Sequence, residues 1–295
     1  MGALRDAMIN EMKLFGYSPK TIKMYVKYMA RFAEYLGRSP LDVTPEELKS
    51  FFLDLIARDA SPTTIHLFYS SLKLFYRFHG LDQLLDRIPP PKRPFRIPAV
   101  MDQSEIQAIL DACANLRYRT LFALIYSAGL RVSEAAALKC SDIDFSRRVI
   151  HVRCSKNRQD RYTILSEKTA GLIKKYLERY MPKDYLFYSL RCVDRPMPIR
   201  RIQAIFHGLV LKTGVKDAHV HTLRHSFATH LVESDTNLFH IMKLLGHSSL
   251  SSTLVYLHMR RLDTLHIVSP LDSSSISVDR DLGCEGGQYL LPLAS

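Results

Sequence analysis

Residues 88–98 read Ile-Pro-Pro-Pro-Lys-Arg-Pro-Phe-Arg-Ile-Pro, with five prolines and three basic residues in eleven positions. Proline offers no backbone N–H and its ring fixes φ, so such a run fits neither a helix interior nor a central strand. The rest of the 295-residue chain must therefore fold on either side of it. A stiff, extended linker is the reading that its composition supports, and a chain of this length is a prior of about two domains. We expect residues 1–87 and 100–268 to be domains, 88–99 to be a basic linker, and 269–295, with its Ser273-Ser274-Ser275 and Gly286-Gly287, to be a disordered tail.

The first segment carries helix signals throughout. Ser18-Pro19 opens a stretch with apolar residues at Ile22, Tyr25, Val26, Met29, Phe32, Ala33 and Leu36, and Gly37 closes it. Thr44-Pro45-Glu46-Glu47 is a capping box with proline at the first helical position. Ser61-Pro62 starts another helix, with Ile65, Phe68, Leu72 and Phe75 on one face and an end near Gly80. With an earlier helix over residues 3–15, this makes a bundle of about four.

Beyond the linker, Asp102 with Glu105 caps a helix, and another covers about 117–129. Two β runs, Val149–Arg153 and Arg161–Leu165, flank a polar turn. Helices are expected at about 167–180, 199–213, 221–233, 236–245 and 249–260. The fold class is thus mainly α, with a small β-hairpin in the second domain.

Lys and Arg number 41 against 29 Asp and Glu, a net charge of +12. A surplus of this size favours a polyanionic partner, nucleic acid first among them, over an ordinary enzyme with a solvated basic surface. The charge sits on the segments that read as folded: residues 101–268 hold 25 basic and 15 acidic side chains, and the tail from 269 holds one and four. Five scattered cysteines without a C-x-x-C pair argue against a disulfide framework and against a cysteine zinc site. No apolar run reaches the roughly 18 residues of a membrane helix. With no signal-peptide core at the N-terminus, the expectation is a cytoplasmic protein without membrane contact.

Four spots carry chemistry. They are Ala128-Gly129-Leu130-Arg131-Val132-Ser133-Glu134; His221-Thr222-Leu223-Arg224-His225-Ser226-Phe227-Ala228-Thr229-His230; Leu245-Gly246-His247-Ser248-Ser249; and Tyr256-Leu257-His258, with Tyr256 nine residues past His247. Together, in this order and spacing, they resemble the tyrosine recombinase (phage integrase) family, in its integrase and Xer-type group. The family pattern is A-G-L-R-x-S-E, H-x-L-R-H-S-F-A-T-H, and L-G-H-x-S followed nine residues on by the nucleophilic tyrosine. The resemblance covers roughly residues 8–262. It implies a two-domain, C-shaped clamp, with an N-terminal helical core-binding domain and an integrase-type catalytic domain closing on a DNA duplex.

The chemistry of the residue types is consistent with this. Breaking a phosphodiester without a metal needs a nucleophile, positive charge on the non-bridging oxygens and a proton for the leaving group. A phenol has a pKa of about 10, so it needs help to ionise at neutral pH. Guanidinium stays charged and binds two phosphate oxygens at once. The resemblance implies that Arg131 and Arg224 would clamp the scissile phosphate and His247 would donate a hydrogen bond to it. His221 would help take the proton of Tyr256, which would form a 3′-phosphotyrosyl link and release a 5′-hydroxyl. That link conserves the bond energy, so exchange through a Holliday junction needs no ATP, and no cofactor or metal is implied. The partners implied are double-stranded recombination sites and a homotetramer on DNA. Leu262–Leu271 would either dock on a neighbouring protomer or close its own domain.

Two assignments need more argument. The family places a general-acid lysine in the hairpin turn within G-K-G-x-K-x-R, and alignment through Arg161 puts Lys156 there. Both glycines are replaced, by Ser155 and Asn157, and the second lysine is Gln159, so Arg153 and Arg158 are the alternative cations. Asn tolerates φ > 0, which keeps a tight turn feasible. Glu134, three residues after Arg131, reads as a buried carboxylate orienting that arginine. His221 and Arg224 are three apart and share a helical face. His221 and His225 have i, i+4 spacing, but no third ligand completes a zinc set, so His225 and His230 read as packing residues.

Two other functions fit parts of this pattern: a type IB topoisomerase with the same phosphotyrosine chemistry, and a catalytically silent DNA-binding protein on the same fold. All three share a DNA partner. We therefore predict that affinity for duplex DNA falls steeply with salt, with a log–log slope of about −0.9 per phosphate neutralised. A nearly flat dependence in a fluorescence-anisotropy titration would rule out a DNA-binding surface.

Overall fold

The computed structural model describes residues 2–86, 88–90, 98–153, 160–247, 249 and 251–256. Most of the proline-rich run, the turn that holds Lys156 and Arg158, the segment 262–271 and the tail lie outside the described residues. The chain divides into two compact units, residues 1–96 and 97–295.

The first unit is helical. Its helices are α1 (Gly2–Leu14), α2 (Pro19–Leu36), α3 (Pro45–Ala57) and α4 (Pro62–Phe78). The last three start alike: Ser18, Thr44 and Ser61 each accept a hydrogen bond from a backbone N–H three residues on, and each is followed by proline. The side chain satisfies one orphan donor of the first turn, and the proline costs nothing where no acceptor is available. Thr44 and Glu47 complete the expected capping box. Phe51 is the hub of the core. Its ring meets Phe32 at 4.8 Å, Phe68 at 5.1 Å and Tyr35 at 4.8 Å, all edge-on, the orientation that ring quadrupoles favour.

The second unit is built around α6 (Leu116–Ala128), whose Leu121, Phe122, Leu124, Ile125 and Ala128 have no exposure. A helix that is apolar on nearly every side belongs in a core. Around it lie α5 (Gln103–Ala112), the short α7 (Val132–Ala137), α8 (Glu167–Tyr180), α9 (Ile199–Thr213), α10 (Val220–Glu233), α11 (Leu238–Leu245) and the turn α12 (Ser251–Leu254). A three-stranded antiparallel sheet runs in the order β1 (Ile143–Asp144), β2 (Val149–Val152), β3 (Arg161–Ile164), with Val152 opposite Arg161 at the end of the ladder next to the connecting segment. A second hairpin pairs β4 (Tyr188–Ser189) with β5 (Cys192–Pro196).

The class is the expected one, mainly α with a small hairpin. Three pieces were not read from the sequence: α7, β1 and the β4–β5 hairpin. They are too short for a period to register, and β5 is exposed at four of its five residues. The helix expected over 249–260 is a four-residue turn as far as it is described.

Two glycines fix where the site will form. Gly129 ends α6 and Gly246 ends α11, each left-handed, with φ of 61° and 63°. Both also sit against a neighbour. A Cβ on Gly129 would stand 2.4 Å from the ring of Phe227, and one on Gly246 would stand 2.8 Å from the Arg161 side chain. We predict that Gly129→Ala costs about 1–3 kcal/mol through overpacking and the positive φ. Thermal unfolding of the second unit should then move down by about 2–4 °C per kcal/mol. An unchanged midpoint would show that the α6–α10 contact is loose.

Candidate active site

Arg131 is the first residue after the left-handed turn at Gly129 and Leu130, and it caps α7. Its backbone N–H donates to Glu134 Oε2 at 2.8 Å, and its Nη1 donates to Oε1 at 2.7 Å. From the hairpin, Arg161 approaches the same carboxylate with both terminal nitrogens, Nη1 to Oε1 at 2.9 Å and Nη2 to Oε2 at 2.8 Å. Arg224 of α10 stands 3.6 Å from Oε2. The Glu134, Arg161 and Arg224 side chains are 5%, 8% and 5% exposed, and Arg131 is 20% exposed. Three guanidiniums around one carboxylate leave a surplus of two positive charges in a largely dry place. An anion there meets preorganised charge, which is the arrangement that stabilises a phosphoryl transition state.

Backbone carbonyls hold the arginines from the other side. Arg224 donates to Gly129 O at 2.6 Å and to Leu245 O at 2.7 Å, and Arg161 Nε donates to Leu244 O at 2.8 Å. These are orphan acceptors at the C-termini of α6 and α11. The same cations thus satisfy two helix ends and build the site.

His247 follows Gly246. Its Nε2 lies 3.3 Å from Arg224 Nη2, and its Nδ1 lies 3.0 Å from Thr253 Oγ1 of α12. A guanidinium can only donate, so Nε2 accepts and Nδ1 carries the proton that it gives to Thr253. Tyr256 closes this side. Its ring lies nearly parallel to His247, with an interplanar angle of 12° and a centroid distance of 6.3 Å. It is 3% exposed. Its phenol oxygen lies 3.2 Å from Nδ1 of His225.

The electrostatics follow from burial and crowding of cations. Burial pushes the Glu134 carboxyl up, but the hydrogen bonds and charge of Arg161, then those of Arg131, outweigh it and hold the pKa at about 2. Burial, and then the charge of Arg131, lower Arg224 to about 10, still cationic at neutral pH. Burial and the neighbouring Arg224 and Arg131 push His247 down to about 4. His225 also falls to about 4, from burial and then from His221, Arg224 and His219. The Tyr256 phenol is raised by burial, against the pull of Arg224 and Arg131.

Of the residues read as candidates, Arg131, Glu134, Arg224, His247 and Tyr256 converge. His221 stands in the first turn of α10 and is exposed; the limited desolvation it suffers, then His219 and Arg224, lower its pKa. Among the described residues, the hydrogen-bond partner of the phenol is His225, four residues further along the helix. Lys156 and its alternative Arg158 lie outside the described residues. The other alternative, Arg153, pairs instead with Asp142 at 2.5 Å. In the sequence Arg161 figures only as an alignment anchor for Lys156, and His225 only as a packing residue. The alternation of the hairpin could have placed Arg161 on a face, but not at Glu134. No group of three or more His, Cys, Asp or Glu side chains that could hold a metal occurs among the described residues, and none of their helices is long and apolar enough to cross a membrane.

A potential nucleophile beside clamped arginines is an arrangement suited to phosphoryl transfer. Comparison with known proteins gives this class its family. Residues 99–262 match the Phage integrase family, and residues 4–86 match the phage integrase N-terminal SAM-like domain. A tyrosine recombinase of Thermosipho africanus is 31% identical over 256 residues, covering 82% of this chain and 90% of that protein. The tyrosine recombinase XerA of Thermococcus kodakarensis is 35% identical over 247 residues, covering 82% and 86%. Among solved structures, XerA recombinase superposes with a TM-score of 0.53 at 26% identity, covering 89% of this chain and 96% of that one. A lambda integrase fragment, solved as a dimer bound to a COC′ core site, reaches 0.72 at 19% identity, covering 87% and 94%, a likeness of fold. The chain belongs to the phage integrase family, and so to the tyrosine recombinases.

The two half-buried imidazoles make stability depend on pH. Free histidine titrates near 6.5, and folded His225 and His247 titrate near 4. Between these values the unfolded chain binds more protons than the folded one, so stability declines as pH falls from about 6.5 towards 4. We predict that the denaturation midpoint of the catalytic unit follows this course, and that His247→Gln flattens it. An equal slope in the variant would mean that His247 is not held neutral.

Proposed function

We propose that Tyr256 is the nucleophile of a site-specific DNA recombination reaction, attacking a scissile phosphate held by Arg131 and Arg224 and forming a 3′-phosphotyrosyl link. The observation that carries this reading is the packing of the Tyr256 ring against His247, itself bonded to Arg224 within the arginine cluster that Glu134 assembles. Arg131, the most exposed of the three arginines around Glu134, and Arg224 neutralise the non-bridging oxygens. An anion bound there offsets the neighbouring cations and raises the proton affinity of His247, so that Nε2 takes up a proton and the resulting imidazolium donates it in a hydrogen bond to the phosphate. His221, exposed in the first turn of α10, lies within the field of Arg224 and Arg131. Lys156 supplies the proton to the 5′-oxygen. The attack keeps the phosphodiester energy in the tyrosyl bond, so religation to a second strand through a Holliday junction needs no ATP.

The partner is double-stranded DNA carrying the recombination site. The helical unit before the proline-rich run binds DNA, the unit after it carries catalysis, and four copies assemble on two sites. The basic surplus of +12 supports a polyanion partner in a nucleoid setting.

The test starts by mapping the recombined junctions in the DNA that flanks the gene. A nicked duplex with the mapped site should then trap a covalent protein–DNA adduct that survives denaturing electrophoresis, and Tyr256→Phe should bind equally but trap none. Arg131→Ala should slow adduct formation by about 10²–10³-fold, as losing one preorganised donor does. Binding without any adduct in the wild-type protein would leave a silent DNA-binding protein. Relaxation of supercoils without recombinant product would point to a topoisomerase.

A further inference from the structure

The phenol of Tyr256 has a neighbour that the motif-based assignment of roles leaves unused. His225 follows Arg224 directly in α10, and its Nδ1 lies 3.2 Å from the phenol oxygen. Its ring centroid is 5.9 Å from that of Tyr256. The imidazole is neutral at physiological pH, being held low by burial, His221, Arg224 and His219, so it has a free lone pair. The phenol needs such a partner. It is almost wholly buried, and burial makes it harder to ionise than a tyrosine in water. Resting on the reading of Tyr256 as nucleophile, we propose that His225 is a further catalytic residue, which aligns the phenol of Tyr256 with the arginine clamp and accepts its proton as it attacks.

The step balances. In the tautomer of His225 that carries its hydrogen on Nε2, the Tyr256 O–H proton passes to Nδ1, giving an imidazolium. The phenol oxygen forms the bond to phosphorus, the bond from phosphorus to the 5′-oxygen breaks, and the leaving oxygen takes a proton from the separate donor assigned above. Religation runs this backwards, and Nδ1 returns its proton to the phenol. His225 is a weak base in the DNA-free protein because it is partly buried and because His221, Arg224 and His219 stand near it, in a site where Arg131 before α7, Arg161 on β3 and His247 after α11 add further cations or potential cations. A phosphate anion between Arg131 and Arg224 offsets that charge and raises the proton affinity of a nearby imidazole. The acceptor therefore strengthens when substrate arrives. Helix geometry adds a second element: Arg224 and His225 are consecutive, so the phosphate clamp and the phenol's partner move as one rigid piece.

The test compares His225→Gln and His225→Phe with wild type in single-turnover adduct formation on the nicked duplex, each with tyrosine or the more acidic 3,5-difluorotyrosine at position 256. General bases contribute about 10²–10⁴-fold, so His225→Gln should slow the reaction by at least about 100-fold, and difluorotyrosine should restore at least about tenfold of this while changing wild type little. The rate of His225→Gln should also keep rising with pH where wild type has levelled off. Wild-type rates in both variants, or the same loss with both phenols, overturn the proposal. Should neither variant fold, imidazole ¹⁵N resonances of the wild-type protein decide. Nδ1 must be unprotonated and must shift in Tyr256→Phe, and a protonated Nδ1 on a neutral ring overturns the proposal. The two readings fail differently: no adduct in wild type removes the recombinase reading, whereas an adduct indifferent to His225 removes only this one.

Discussion

The carboxylate of Glu134 lies buried among the guanidiniums of Arg131, Arg161 and Arg224, and its position decides where their charges go. Each arginine comes from a different element: α7, β3 and α10. Without a common acid, three cations within a few ångströms would repel each other and draw water into the unit. With it, the cluster is stable yet still carries a positive surplus. Breaking such a buried pair by removing one partner costs about 3–5 kcal/mol, because the remaining charge is left uncompensated. The integrity of the second unit and the positive charge that it can offer an anion therefore rest on the same oxygens.

The helix ends are the second support. Gly129 and Gly246 let α6 and α11 stop abruptly, and the carbonyls freed there point at arginines rather than at solvent. These ends carry partial negative charge. Glycine and arginine stand close together in the Ala128–Glu134 motif because one residue turns the chain and the next is placed by that turn. The close approach of Phe227 to Gly129 and of Arg161 to Gly246 shows why a larger residue at either position would displace the site.

Much of the site was readable along the chain. The resemblance of three ordered motifs to the tyrosine recombinase family joined Arg131, Arg224, His247 and Tyr256 into one set, and the three-residue step from Arg131 to Glu134 suggested the orienting role of Glu134. Ser18, Thr44 and Ser61 with their prolines located three helix starts. Arg161 was harder, because the contact that matters spans from β3 to α7 and no local pattern encodes it. His225 was assigned to packing for a similar reason: a helical wheel gives its direction, but not that Tyr256 lies at the end of it. The β4–β5 hairpin escaped because β4 has two residues and β5 no alternation of exposure.

The sequence by itself determined the helical bundle, the proline-rich break and the fold class, and through its motifs the family resemblance. Those depend on local backbone preferences and on residue patterns within short stretches. Only the tertiary structure decided which histidine meets the phenol, that one carboxylate serves three arginines, and that Tyr256 is buried. Those depend on side chains from distant segments meeting in a dry interior. There, charge and hydrogen bonding are set by neighbours across the fold and not along the chain.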